Sequence, residues 1–382
     1  MSATFWKPAE YAFPGERLDE FLLWAAERGA SDVALQTGSP AFVEVDGRLE
    51  RATRASVGRT EMELLVEALF NETGVGVLRS GKAIDCSKTV QQGRLRRRRF
   101  RVNISPAEVD HSFAVSIALR VMPDEVPSLD GLGIEAGIVE AWELCAGLTL
   151  VTGVPGSGKS TLLAAGTRRL LEKGAGRIQS FEAPIEYVFD GIAGDAAMMS
   201  SAEVPRHFAT FADGLRSSLR RRPAAVVVGE ARDRETVEAV VRAADYGIAV
   251  YSTAHTTGVA ATIRRMLAEF PSEERDERGA ALVDVLHMVV TQVLLANPAG
   301  GRTALREWLV FDSGLKGLLL ERSQSEWPGV ISERLRKRQT DLLFSAESAF
   351  DDGRLRETDY LRIRAGTGMG VVNGAGDRGA FG

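Results

Sequence analysis

The segment GLTLVTGVPGSGKSTLLAAGTRRLLE, Gly147 to Glu172, constrains this chain more than any other. An apolar run, a glycine-rich loop and a helical pattern follow one another without a gap, and the loop fits GxxxxGK[ST] in the strand, loop, helix context that pattern demands. Gly153, Gly156 and Gly158, with Ser157 between them, let backbone N–H groups turn inward around a phosphate. Lys159 adds a charge near the β- and γ-phosphates, and Ser160 is placed to ligate Mg²⁺, with Thr161 following it on the helix. The segment therefore points to a nucleoside triphosphate site at the start of a helix.

Further short apolar runs, RIQSFE, AAVVVGE and IAVYSTA, alternate with helical stretches after this loop. Parallel strands buried on both faces read in this way, so the region is expected to be a three-layer α/β domain. Upstream, LDEFLLWAAERG reads as an amphipathic helix and DVALQT, AFVEVDG and GRLERAT as short strands. With 382 residues, two domains are the expectation. Prolines and glycines in VMPDEVPSLDGLGIEAG mark the break. The expected division is an N-terminal α/β domain over 1–121, a linker over 122–137, the nucleotide-binding domain over 138–364 and a flexible Gly-rich tail over 365–382.

Hydrolysis needs acidic groups facing the loop. Glu230 closes the buried run PAAVVVGE, where such architectures keep a carboxylate for the metal shell or the attacking water, although a solvated strand-end glutamate fits equally well. In SFEAPIEYVFD, Glu182 at a strand's carboxyl end is the candidate general base or water positioner. Glu186, four residues on, is a nucleotide-side or anchoring residue. His255 in STAHTTG is one of four histidines and follows a strand that should end at the same edge as the loop. It is a candidate reporter of the γ-phosphate, or a satisfied structural histidine.

The net charge of −5 gives no general argument for binding nucleic acid or an anionic membrane. The local run RLRRRRFR, Arg94 to Arg101, can be read as phosphate-neutralising charge with Phe100 free for base stacking, or as a solvated hairpin rim or subunit interface. The latter uses are favoured because no recognised DNA-binding motif accompanies it. Cys86 and Cys145 have neither CxxC spacing nor a secretory context, which implies reduced thiols and no zinc site. No basic-plus-apolar leader and no long apolar span is present, so a soluble, cytoplasmic protein is expected.

Taken in order, GVPGSGKST, SFEAPIEYVF, VVVGEARD and STAHTTGVAATIRRM resemble the Walker A, Asp-box, Walker B and His-box motifs of the type II and type IV secretion and type IV pilus ATPases. Upstream, GASDVALQTGSPAFVEVDGRL and FRVNI resemble the N-terminal domain of the pilus-retraction branch. The wording of EVPRHFATFADGLRSSLRRRPAAVVVGEARD is similar to the DotB-like ATPases of type IVB secretion and the TraJ-like ATPases of IncI conjugation. The resemblance implies a small PAS-like α/β N-terminal domain, a RecA-like P-loop NTPase domain and a homo-hexamer. It also implies hydrolysis of ATP with Mg²⁺ bound by Ser160 and Glu230, and partners among the inner-membrane proteins of a secretion system or pilus platform.

On the matching positions, Arg101 and Arg120 fall where the family places phosphate-facing arginines. Arg216 and Arg220 fall where it places a pair near the nucleotide or the subunit interface. A guanidinium suits charge spread over phosphoryl oxygens. The chain departs from the pattern in several places. It has too few cysteines for the tetracysteine zinc insertion of many relatives, SGLKGLLLERS stands in the region of the retraction motors' AIRNLIRE, Ile248 replaces a common histidine, and Ala183 a common aspartate. The alternatives are a RecA-like nucleic-acid translocase and a nucleotide-dependent scaffold with little turnover.

Overall fold

A computed structural model describes residues 5–9, 12–45, 48–92, 96–123, 125–143, 146–192 and 194–366. The chain divides into two units, Met1–Glu125 with Ala183–Val188, and Val126–Glu182 with Phe189–Gly382. The first unit thus takes in a short stretch that the sequence placed within the second domain. Cys145 and most of the expected tail lie outside the described residues.

The first α-helix of the first unit is Leu18–Glu27, whose Leu18, Phe21, Leu22 and Ala25 recur at helical spacing and are buried. Six strands follow: β1 (Asp32–Gln36), β2 (Pro40–Val45), β3 (Arg48–Ser56), β4 (Ile84–Gln92), β5 (Arg96–Val109) and β6 (Ser112–Val121). They form one sheet in the order β3-β2-β1-β6-β5-β4 with antiparallel neighbours. Along β5, Phe100, Val102 and Ile104 alternate into the core, as a period of two requires. Phe100 is fully buried, so it offers no face for stacking a base; Arg99 is buried beside it, whereas Arg97 and Arg101 are exposed, as a solvated rim requires.

The second unit carries β7 (Gly147–Thr152), β8 (Gly176–Glu182), β9 (Ala197–Glu203), β10 (Ala225–Val228), β11 (Ala249–Ala254), β12 (Leu286–Ala296) and β13 (Arg302–Val310). Their order is β13-β12-β7-β11-β10-β8-β9. All neighbours are parallel except β12 and β13, which pair antiparallel. Every residue of β7, β10 and β11 is buried, which only strands covered on both faces can show. The mixed α/β class read from the sequence holds for both units.

Helix Lys159–Glu172 leaves β7 through the glycine loop and is set by an exclusion of volume. A Cβ at Gly166 would lie 1.8 Å from the indole of Trp142, so that ring fits against the helix only because residue 166 has no side chain. Trp142 in turn stacks on Tyr251 of β11 with 5.5 Å between ring centroids, and the Tyr251 hydroxyl donates to the Trp142 carbonyl at 2.6 Å. Among the described residues no helix is long and apolar enough to cross a membrane.

Candidate functional site

The site forms at the carboxyl edge of the parallel sheet, where open α/β sheets bind ligands. Val228 of β10 pairs with Phe181 of β8 and Ser252 of β11, so Glu182, Glu230 and His255 all leave the sheet at or just beyond one edge. The loop after β7 leaves there too. At Gly153 the backbone has φ +143°, and a Cβ would come within 2.3 Å of the Gln292 carbonyl oxygen and 2.5 Å of Ser157 Oγ. At Gly158, with φ +83°, a Cβ would meet Gln292 Nε2 at 2.7 Å. Both positions therefore require glycine by conformation and by space; Gly156 sits between them at φ +76°.

Lys159 opens the helix with its side chain turned back along the loop and is buried. Its ammonium donates to the carbonyls of Gly153 at 2.8 Å and Val154 at 3.0 Å. The same nitrogen lies 3.3 Å from His255 Nδ1, and His255 Nε2 lies 3.4 Å from Glu230 Oε1. Arg232 flanks the other oxygen of Glu230 at 3.8 Å. The loop lysine, the histidine and the strand-end carboxylate thus form one continuous polar chain. Ser160 and Thr161 occupy the first helical turn and are half-buried. Ser157 Oγ is buried with no hydrogen-bond partner among the described residues.

The remaining candidates are placed as follows. Glu182 ends β8 and its Oε1 accepts from Ser180 Oγ at 2.7 Å. Glu186 belongs to the first unit, where Arg101 of β5 lies 3.8 Å from it. Arg120 of β6 donates to Asp32 at 2.9 Å. Arg216 is held by Asp213 at 2.6 Å and lies 3.3 Å from Glu235, and its bond to Asp213 holds that carboxyl below the usual range. Arg220 lies exposed in the turn Leu219–Arg221. Lys159, His255 and Glu230 are the residues brought into direct register with the loop.

Sequence reading missed Gln292, whose side chain packs against Gly158 and whose backbone crowds Gly153. The signal was present: in MVVTQVLLA an amide stands beside a threonine in the middle of a largely apolar run. It also missed Glu307 of β13, which accepts from the backbone N–H of Val259 at 2.8 Å and so anchors helix Val259–Ala268, four residues beyond His255. Burial pushes the Glu307 carboxyl up, against the hydrogen bonds from Val259 and Leu342 that pull it down.

The donor chemistry fits a magnesium nucleotide. Mg²⁺ takes hard oxygen ligands and is commonly held by one or two protein groups together with phosphate oxygens. The Ser160 hydroxyl and the Glu230 carboxylate offer oxygens of this kind, and a magnesium nucleotide needs no denser cluster of metal-binding side chains, of which the described residues contain none.

A family model described as type II/IV secretion system protein matches residues 89–298. The type IV pilus retractation ATPase PilT of Pseudomonas aeruginosa is 32% identical over 304 residues, 80% of this chain and 85% of that protein. The X-ray structure of the Legionella pneumophila ATPase DotB superposes with a TM-score of 0.86 at 36% identity, covering 94% of this chain and 100% of that one. The crystal structure of the pilus retraction motor PilT with bound ADP gives a TM-score of 0.78 at 30% identity, over 90% and 96% of the two chains. Since the match spans more than half of the sequence and contains the loop and all its neighbours at the sheet edge, the chain belongs to the type II/IV secretion system protein family.

Proposed function

We propose that this chain is a P-loop ATPase that hydrolyses Mg²⁺-ATP to power a type IV, type IVB-like or conjugative, secretion apparatus or a related pilus machine. It works in the cytoplasm as a homo-hexamer, recruited to the inner membrane through partner proteins. The observation that carries the enzymatic part is the chain from Lys159 through His255 to Glu230 at the mouth of the loop. The ATPase names of the DotB and PilT relatives support the same reading.

In this mechanism the loop amides and the Lys159 ammonium hold the β- and γ-phosphates. Ser160 and Glu230 hold the metal, Glu182 orients the attacking water, and His255 reports the γ-phosphate to helix Val259–Ala268. Arg101 and Arg120, each with a carboxylate neighbour in the first unit, exchange that partner for phosphoryl oxygens, with Arg216 and Arg220 serving the nucleotide edge or a subunit boundary. Loss of the γ-phosphate contacts then relaxes His255 and helix Val259–Ala268, and this step couples hydrolysis to mechanical work.

The enzymatic part is tested by turnover with Mg²⁺-ATP: Lys159→Ala abolishes it, and full retention would refute the site. The machine is tested by trapping tagged Glu230→Gln protein in ATP and identifying what co-purifies from native cells, with and without nuclease. Secretion-core proteins unaffected by nuclease support the reading. Nuclease-sensitive material, or turnover stimulated by DNA or RNA, would favour a nucleic-acid translocase instead.

A further inference from the structure

The phosphate loop is held from behind by a buried polar linkage. Gln292 Nε2 donates to the Ser157 carbonyl at 2.6 Å, inside the loop. Gln292 Oε1 accepts from Arg306 Nε at 2.8 Å. The two residues stand opposite each other in the register of β12 and β13, so their side chains share one face of the sheet. Arg306 Nη1 then reaches Glu135 Oε2 at 3.0 Å and the Gly133 carbonyl at 3.4 Å. Gly133 and Glu135 lie just before helix Ala136–Trp142, in the stretch through which the chain enters the second unit.

The chemistry of this linkage is directional. A guanidinium only donates, so it fixes the Gln292 oxygen toward itself and leaves the amide NH₂ to face the loop. Without Arg306, the amide is free to turn its oxygen on the Ser157 carbonyl, which is repulsive. Arg306 is only 4% exposed, so its charge needs Glu135 nearby, and burial alone works against that charge. A buried ion pair is weak evidence for added stability, because a well-packed apolar pair does as well, which leaves orientation as its use.

We propose that Glu135, Arg306 and Gln292 are positioning residues that make the geometry of the phosphate loop, and hence nucleotide affinity, depend on the chain segment entering the second unit. The inference rests on the loop being a nucleotide site, and deepens that reading by naming how the site is regulated. A conformation of the entering segment that withdraws Glu135 unpairs Arg306, frees the Gln292 amide and loosens the hold on Ser157. Nucleotide in the loop favours the paired arrangement and orders the segment in return, since such coupling is reciprocal.

The test measures the Kd of a fluorescent ADP analogue and the Tm of the full chain as wild type, Glu135→Gln, Gln292→Glu and the double variant. Gln292→Glu keeps the shape and the Arg306 contact but removes the donor to Ser157. We expect Gln292→Glu to weaken ADP about tenfold with Tm preserved, and Glu135→Gln to weaken it roughly three- to tenfold, as for loss of one charge-assisted hydrogen bond, together with a lower Tm because the buried Arg306 charge loses its partner. In the double variant Glu135→Gln adds nothing further, because its route to the loop is already cut. Additive effects on Kd, or a fall in Tm with Kd unchanged, would overturn the relay and leave the residues structural. Failure of the wild type to bind ADP would instead remove the nucleotide site and the relay with it. Hydrogen exchange on the wild type needs no variant to fold: ADP should slow exchange across residues 128–135, this response should vanish in Lys159→Ala, and no slowing would overturn the proposal.

Discussion

The Lys159 ammonium lies 3.3 Å from Nδ1 of His255, which sets the loop lysine against the imidazole. An ammonium has no lone pair, so Nδ1 must accept, and the ring proton sits on Nε2, facing Glu230 at 3.4 Å. His255 thereby bridges the residue that grips phosphate and the residue assigned to the metal. Nitrogen-15 NMR of the free protein at neutral pH should show His255 with Nδ1 unprotonated. Removing the bridge with His255→Ala should lower turnover by about 10- to 100-fold, the worth of one hydrogen bond to a charged group. The opposite tautomer would undo the bridge.

Lys159 is buried, yet its task is electrostatic. Lys159→Met should reduce ATP turnover on the order of 10²–10³-fold, as for loss of one transition-state donor. Tm should stay level or rise, because removing a desolvated charge offsets the two carbonyls left without a donor. A steep loss of Tm in parallel with activity would instead make this lysine a structural residue.

Behind the loop, Gly166→Ala forces a methyl into the Trp142 ring. Overpacking of this kind costs about 1–3 kcal/mol, read as a lower denaturant midpoint. Replacing the indole as well, in Gly166→Ala with Trp142→Phe, should restore part of that loss. Equal stability of Gly166→Ala and wild type would contradict the packing described.

Glu307 provides a pH dependence with a definite sign. Burial raises its folded pKa above that of the unfolded chain, so the folded state binds the proton more tightly. Its contribution is full below the unfolded carboxylate value and is lost as pH rises through the raised folded value. Glu307→Gln keeps an acceptor for Val259 but cannot titrate. The stability of wild type relative to Glu307→Gln should therefore fall as pH rises from about 4 toward neutrality, measured by denaturant unfolding at several pH values; a constant difference would contradict it.

The loop and four strands of the second unit, β7, β8, β10 and β11, were legible because each rests on local chemistry. Glycine spacing, a lysine and flanking apolar runs define the first, and continuous burial defines β7, β10 and β11. What stayed hidden depends on pairing between distant residues. β12 follows helix Arg275–Val285 directly, with no glycine or proline to mark where one period ends and the other begins. Gln292 and Arg306 meet only through the register of β12 with β13. Phe100 could have been assigned to the core from its phase with Val102 and Ile104, but four preceding arginines obscured the alternation. The inclusion of Ala183–Val188 in the first unit has no local signature at all.

The central claim is that Glu230 serves hydrolysis at a nucleotide site whose grip comes from the loop and Lys159. Glu230→Gln preserves shape and separates the two tasks. ATP affinity and single-turnover hydrolysis should be measured on the same preparation. The account predicts a Kd within about threefold of wild type and hydrolysis lowered at least ~100-fold, the signature of an interaction made mainly in the transition state. Wild-type hydrolysis by Glu230→Gln would contradict it.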